Sequence, residues 1–302
     1  MKFNFIKNRR IAFTISSIAF ISSIIVTFIF GMNLGLDFTG GGRWTISFSE
    51  KVSQTQVKDF FNSLPELHKE TKIQETTEGQ YLITIEEVPD SVLKIIGGRM
   101  KEKFGDYKEI GYVKIDSAIG NNFKTKAIYA LTVAIIGISL FIWFSFRHIP
   151  KAMKPLRFGI AAILALFHDV TIVFGIFIVL GKIKGVELDL PFLSALLGTL
   201  GYSVNDTIII LDRIRENIRF QKPNETFGDT VEKSIHETLR RTIITTLSAV
   251  FPLLALMFFG TSSIFYFVLA LFLGISIGTY SSIFIVAPLL VSWKEWSDKK
   301  EA

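Results

Sequence analysis

Apolar and polar positions separate along this chain into long apolar runs and one polar insert. Residues 11–32 form an apolar run of the roughly 20 residues that a helix needs to cross a bilayer, and further runs follow at about 126–146, 158–180, 190–211, 242–259 and 264–291. Each predicts a membrane-spanning helix. The first is read as an uncleaved span, because a signal-peptide core is about 7–15 residues long and ends at an Ala-x-Ala-like site, which is missing here.

Between the first two runs the periodicity changes. Residues 44–48 alternate as a strand does, and Val57, Phe60, Phe61 and Leu64 recur at helical spacing over 54–64. Residues 71–77 and 81–87 flank Glu78-Gly79-Gln80 as a hairpin. Asp90 caps a helix through 104 with Val92, Leu93, Ile96 and Met100 on one face, and 107–115 closes the set as a strand. Strand, helix, strand, strand, helix, strand is the split βαβ order of ferredoxin-like folds. The expected fold class is an α-helical membrane protein of six transmembrane helices with a small α+β ferredoxin-like extracytoplasmic domain between helices one and two. Its parts are 1–34 (cytoplasmic N-terminus and first span), 35–124 (the βαββαβ domain), 125–293 (five spans, with a cytoplasmic segment at 212–241) and 294–302 (cytoplasmic tail).

Charge orients the spans. Lys2, Lys7, Arg9 and Arg10 precede the first; Arg147, His148, Lys151, Lys154 and Arg157 fill the loop between the second and third; Lys294, Lys299 and Lys300 follow the sixth, beside Trp293 and Trp296. Residues 212–241 add Arg213, Arg215, Arg219, Lys222, Lys233, Arg240 and Arg241. Basic residues gather on the cytoplasmic side of membrane proteins and Trp at the interfaces, so both termini are expected inside and the insert outside. The charge-balanced loop with Lys182, Lys184, Glu187 and Asp189 is external. Within 212–241, Phe227, Val231, Ile235 and Leu239 recur every four residues, which predicts a short amphipathic helix on the membrane surface or against the bundle.

Composition narrows the function classes. The chain has 302 residues, 49% hydrophobic and only 20% charged, where soluble domains carry about a quarter charged. The net charge of +6 sits in loops beside spans, with no basic face interleaved with aromatics, so nucleic acid is not an expected partner. The absence of cysteine excludes a disulfide framework and a thiolate metal site. Gly181-Lys182 lacks the remainder of a Walker A loop, and neither Gly-x-Ser-x-Gly nor His-Glu-x-x-His occurs. His68, His148, His168 and His236 share no ligand spacing. No enzyme activity, metal or organic cofactor is expected, and an ion gradient is left as energy source. Without a cluster of oxygen ligands, protons are the expected coupling ion. Gly35-Leu-Asp-Phe-Thr-Gly-Gly-Gly-Arg43 after the first span reads equally as a sharp exit or as a site, since its glycines permit positive φ and close backbone approach but show no phosphate-loop spacing.

Ionisable residues inside spans are the candidates for chemistry. In Gly201-Tyr-Ser-Val-Asn-Asp-Thr207, Asp206, Ser203 and Thr199 make one helical line, and Asn205, Gly201 and Gly198 the line beside it. A carboxylate in hydrocarbon is costly and usually faces a partner or a watery path; the alternative is that Asp206 lies close enough to the cytoplasmic end to reach headgroup water. His168 and Asp169 fall near the middle of the third span, where Asp169 lines a path or the two form a buried structural pair. Arg241, Thr245, Ser248 and Pro252 share a face at i, i+4, i+7 and i+11, an arginine leading hydroxyls toward a proline that frees a backbone carbonyl. Gly274 and Gly278, extended by Ser281, form a small-xxx-small packing face.

Gly35-Leu-Asp-Phe-Thr-Gly-Gly41, His168-Asp169, the run from Gly201 to Asn217, Arg241-Thr242 leading Thr245-Thr246-Leu247, and Gly278-Thr-Tyr-Ser-Ser-Ile-Phe284 before Pro288-Leu-Leu290 together resemble the SecF side of the SecD/SecF family, over nearly the whole chain. The resemblance implies one half of a pseudo-symmetric twelve-span assembly, related to the resistance-nodulation-division exporters, in the bacterial cytoplasmic (inner) membrane. In such an assembly, protons crossing between the halves drive external domains that help pull an emerging unfolded polypeptide through. It implies SecD as a partner in trans, carrying the main relay carboxylate, with the SecYEG channel and YajC as further partners. Asp206 and Arg241 match the family's intramembrane charges and Asp169 its histidine-aspartate motif. On this reading Asp206 exchanges a proton or pairs with Arg241 between the fourth and fifth spans. The alternatives are half of a proton-coupled small-molecule or lipid exporter, and a passive translocase scaffold with Asp206 and Arg241 as a structural ion pair.

Overall fold

The computed structural model describes residues 4–50, 52–67, 71–76, 79–147 and 155–301. Lys2, His68, Glu78, His148, Lys151 and Lys154, named above, lie outside the described residues. The chain divides into two compact units, residues 32–130 with 180–190, and the remainder.

In the first unit, β1 (Gly41–Phe48), α3 (Gln54–Asn62), β2 (Lys72–Glu75), β3 (Tyr81–Ile85), α4 (Asp90–Phe104) and β4 (Tyr107–Ile115) follow the short helix α2 (Leu36–Thr39). The sheet is antiparallel in the order β2-β3-β1-β4, so β3 splits the β1–α3–β2 crossover as expected. Alternation puts Trp44, Ile46, Tyr81, Ile83 and Ile85 on one face, packed with Val57, Phe60 and Phe61 of α3 and Ile96 and Met100 of α4. Ser53 and Gln56 form a reciprocal capping box at α3. Asp90, expected as a cap, instead lies in the first turn of α4, and Pro89 is the cap residue; a carboxylate there still favours the helix dipole.

Gly40 and Gly41 have φ of 68° and 122°. A Cβ on Gly40 would lie 2.9 Å from Ser117 N, and one on Gly41 would collide with the Ile85 carbonyl oxygen. The glycines therefore make more than a sharp exit: they let the strand start and the segment leading out of the domain touch backbone to backbone. That segment is already helical. Asp116 accepts from Ala118 N at 2.7 Å, so α5 (Ser117–Ser145) begins some way before the predicted span.

The loop at 185–189 is tied into the same unit. Leu34 and Leu188 bridge in parallel, Asn33 Nδ2 donates to the carbonyls of Gly185 and Val186 at 3.1 and 3.0 Å, and Leu190 N donates to Asp37 Oδ2 at 2.9 Å. Glu187, nearly buried, pairs with Arg43 of β1 and lies 3.7 Å from Lys72 of β2. Burial pushes its carboxyl above the ordinary glutamate range, against the pull of Arg43 and Lys72, and Asp189 adds to the push. A carboxyl raised on folding contributes stability that is complete below its ordinary value and is lost as pH rises through the raised one. Glu187→Gln should remove that decline, so thermal midpoints of wild type and variant across the acidic range should diverge as pH rises; parallel curves would contradict the assignment.

In the second unit, α1 (Arg9–Phe30), the rest of α5, α6 (Pro155–Lys184), α7 (Leu190–Arg219), α8 (Phe227–Phe259) and α9 (Phe265–Ser281) continued by α10 (Ala287–Glu301) supply, among the described residues, six helices long and apolar enough to cross a membrane. The protein is a multi-pass membrane protein. Its core joins Phe146, Phe158, Ala162, Leu211, Ile214, Ile235, Val286 and Leu290, whereas α1, α5 and α8 leave Ile18, Phe28, Val133, Leu140, Phe251 and Phe258 exposed. Two expectations change. The short amphipathic helix is the first half of α8, one 33-residue helix opened by a Thr226–Asp229 capping box, with Pro252 inside it. The sixth span is interrupted by a π-helical turn, Ser282–Val286, and the predicted tail continues as α10.

Candidate functional site within the membrane helices

Small residues set the geometry. A Cβ added to Gly278 would lie 2.7 Å from Ser203 Cβ, and one on Gly274 would overlap Thr199, so α9 runs against the Thr199–Ser203 line of α7. Close approach of this kind replaces the missing hydrophobic drive between helices in lipid and brings their hydroxyls into contact.

Asp206, the next residue on that line, is fully buried. Its Oδ2 accepts from Thr279 Oγ1 at 2.9 Å. Thr279 in turn lies 2.9 Å from Thr246 Oγ1 of α8, and Thr246 reaches the Thr242 carbonyl at 2.8 Å. Asp206 Oδ1 and Thr242 Oγ1 are buried without a hydrogen-bond partner among the described residues. Asp206 is thus enclosed by protein and faces α9.

Asp169 of α6 is buried with His168. Asp169 Oδ2 accepts from Ser203 at 2.6 Å and Ser281 at 2.8 Å, and Oδ1 lies 2.9 Å from His168 Nδ1. His168 Nε2 is buried without a hydrogen-bond partner among the described residues, and its ring stacks on Phe20 of α1 at 6.1 Å. Thr207 and Ser282 meet at 2.8 Å, and Ser282 also donates to the Gly278 carbonyl at 2.8 Å, where the π turn begins. π turns inside α-helices recur at functional sites.

The expected Asp206–Arg241 pair is not made within this chain. Arg241 is exposed and forms no salt bridge with any described residue; its backbone carbonyl accepts from Thr245, and Ser248 donates to the Thr245 carbonyl. The reason is azimuthal. One residue separates Arg241–Thr245–Ser248 from Thr242–Thr246, and α8 turns the second line inward. Likewise on α7 the Thr199–Ser203–Asp206 line is buried, while Gly198, Gly201 and Asn205 beside it are exposed. Among the described residues no group of three or more His, Asp or Glu is placed to hold a metal.

Thr279, Thr246, Thr207 and Ser282 were not anticipated as site residues. A signal was present: Thr279 and Ser282 adjoin the small residues Gly278 and Ser281, and a hydroxyl beside a packing glycine in a span faces protein, where it can find a partner.

Comparison with known proteins places this geometry. Residues 96–296 match the family described as protein export membrane protein SecD/SecF, C-terminal, and residues 25–49 match the SecD/SecF GG motif. The protein translocase subunit SecF of Thermobaculum terrenum is 38% identical over 296 residues, covering 93% of this chain and 91% of that protein. A crystal structure of SecDF from Thermus thermophilus, described as a translocon-associated membrane protein, superposes with a TM-score of 0.85 at 32% identity, over 98% of this chain and 39% of its own. SecDF in a super-membrane-facing form matches with a TM-score of 0.67, also at 32% identity, over 100% of this chain and 40% of its own.

Proposed function

This chain belongs to the SecD/SecF family and is an accessory membrane subunit of Sec protein export that associates with SecD; from that premise we propose that it uses the proton gradient to promote passage of unfolded polypeptides through a SecYEG channel, with YajC as a further neighbour. It does so without enzymatic chemistry or a bound cofactor. Its termini lie in the cytoplasm of a bacterial cell and its four-stranded domain outside the cytoplasmic membrane.

One observation carries the reading: a fully buried carboxylate, Asp206, is held by the Thr279 hydroxyl and by no cation among the described residues, while Arg241, Asn205 and Gly201 are exposed in the spans. A bare Arg on a lipid face is costly; the same face against SecD supplies a charge opposite a partner's carboxylate. Arg241 is thus a residue of the interface between subunits, and Asp206, Asp169 and His168 are the titratable groups behind it. In Arg241→Met, gradient-dependent export should fall to the level of membranes lacking the subunit, while co-purification with SecD is retained. Unchanged export kinetics would sink the role.

A further inference from the structure

The Asp206–Thr279–Thr246–Thr242 contacts differ in number from the protons available to fill them. Each threonine hydroxyl carries one hydrogen, and a carboxylate none. Thr279 joins Asp206 of α7 to α9, Thr246 joins α9 to α8, and the Thr242 carbonyl accepts within α8. With Asp206 ionised, the two hydroxyl hydrogens must serve three short contacts. If Thr279 donates to the carboxylate and Thr246 to the Thr242 carbonyl, the Thr279–Thr246 contact holds two oxygens and no proton. If Thr246 instead donates to Thr279, the Thr242 carbonyl loses its side-chain donor. Protonation supplies the third hydrogen: Asp206 donates to Thr279, Thr279 to Thr246 and Thr246 to the carbonyl, so every contact is filled with one direction of donation. Among the described residues no charged side chain hydrogen-bonds or ion-pairs with Asp206 and its hydrogen-bond partner is Thr279, while His168 and Asp169, the titratable pair on α6, bond to each other, and Asp169 to Ser203 and Ser281.

We infer that Thr279 and Thr246 are positioning residues that read the proton on Asp206 and report it to α8, closing α8 onto α9 when the carboxyl is neutral and releasing it when it is ionised. The helix released is the one that carries Arg241 on its other face, so the proton count at Asp206 and the seat of the interface arginine are set by one hydrogen-bond chain. This rests on the proton-coupled reading above and adds to it the route by which the proton acts.

The test uses the full chain in complex with SecD, reconstituted in vesicles with an imposed proton gradient. Thr246→Val, which leaves Asp206 untouched, should lose the dependence of export on pH seen in wild type, as should Thr279→Val, and Thr246→Ser and Thr279→Ser should restore it. A second measurement covers valine variants that fail to accumulate. Hydrogen exchange of α8 amides around Thr242–Thr246, corrected for intrinsic rate, should slow as Asp206 is protonated in wild type. In Asp206→Asn, whose amide always offers a donor, it should stay slow at every pH. Wild-type pH profiles in both valine variants, or α8 exchange in wild type independent of pH, would overturn the relay while leaving proton coupling standing. A wild-type complex with no gradient-dependent proton uptake would instead remove the reading on which the relay rests.

Discussion

Asparagine at position 206 is expected to lower gradient-dependent export by at least about 100-fold, the low end of what a positioned proton-transfer group supplies, while SecD still co-purifies. The side chain is fully buried and its one hydrogen-bonded oxygen accepts from Thr279. Asparagine has the same shape and can bond Thr279 through its amide, so folding is little disturbed and what disappears is the exchangeable charge. Alanine would confuse the issue by removing the carboxylate acceptor of Thr279 and leaving a cavity between α7 and α9. The measurement is export into vesicles with and without an imposed gradient. If Asp206→Asn supports full gradient-stimulated export, the subunit is a scaffold and the carboxylate a structural acceptor.

The second large effect is structural. Gly278→Val places atoms where a Cβ alone would come within 2.7 Å of Ser203 Cβ. Overpacking of a close interface costs about 1–3 kcal/mol. Pushing Ser203 away also strips Asp169 of a 2.6 Å bond, and leaving a buried acceptor short costs roughly another 1–3 kcal/mol. The variant should unfold in detergent at markedly lower temperature and accumulate poorly. Gly137→Ala, at a position with open space around the added carbon, is the control and should be silent. Equal behaviour of the two variants would mean that α7 and α9 do not meet closely in the folded protein.

Much of the architecture was legible because its causes are local. Strand order followed from alternating stretches in β1 and β3 and helical spacing in α3 and α4, each a property of a few consecutive residues. Helix ends were read less well. Asp116 begins α5 before its apolar run, and nothing between Phe227 and Phe259 stops α8 at the membrane boundary, since helices end at caps and breakers rather than where hydropathy changes. Asp206 and Asp169 stood out because a carboxylate in an apolar run has few bland explanations. The hydroxyls around them did not, since serine and threonine in a span can bond their own helix, as Thr245 and Ser248 do.

The amino-acid order by itself determined the number of spans, the βαββαβ insert and the presence of buried acids, because bilayer thickness, side-chain period and the cost of charge in hydrocarbon act on each segment separately. Only the tertiary structure decided that Thr242 and Thr246 turn inward while Arg241 turns out, and that Thr279 rather than an arginine holds Asp206. The rotation of each helix about its own axis is set by which small residues let its neighbours approach, here Gly274 and Gly278 against Thr199 and Ser203, and those contacts join residues far apart along the chain.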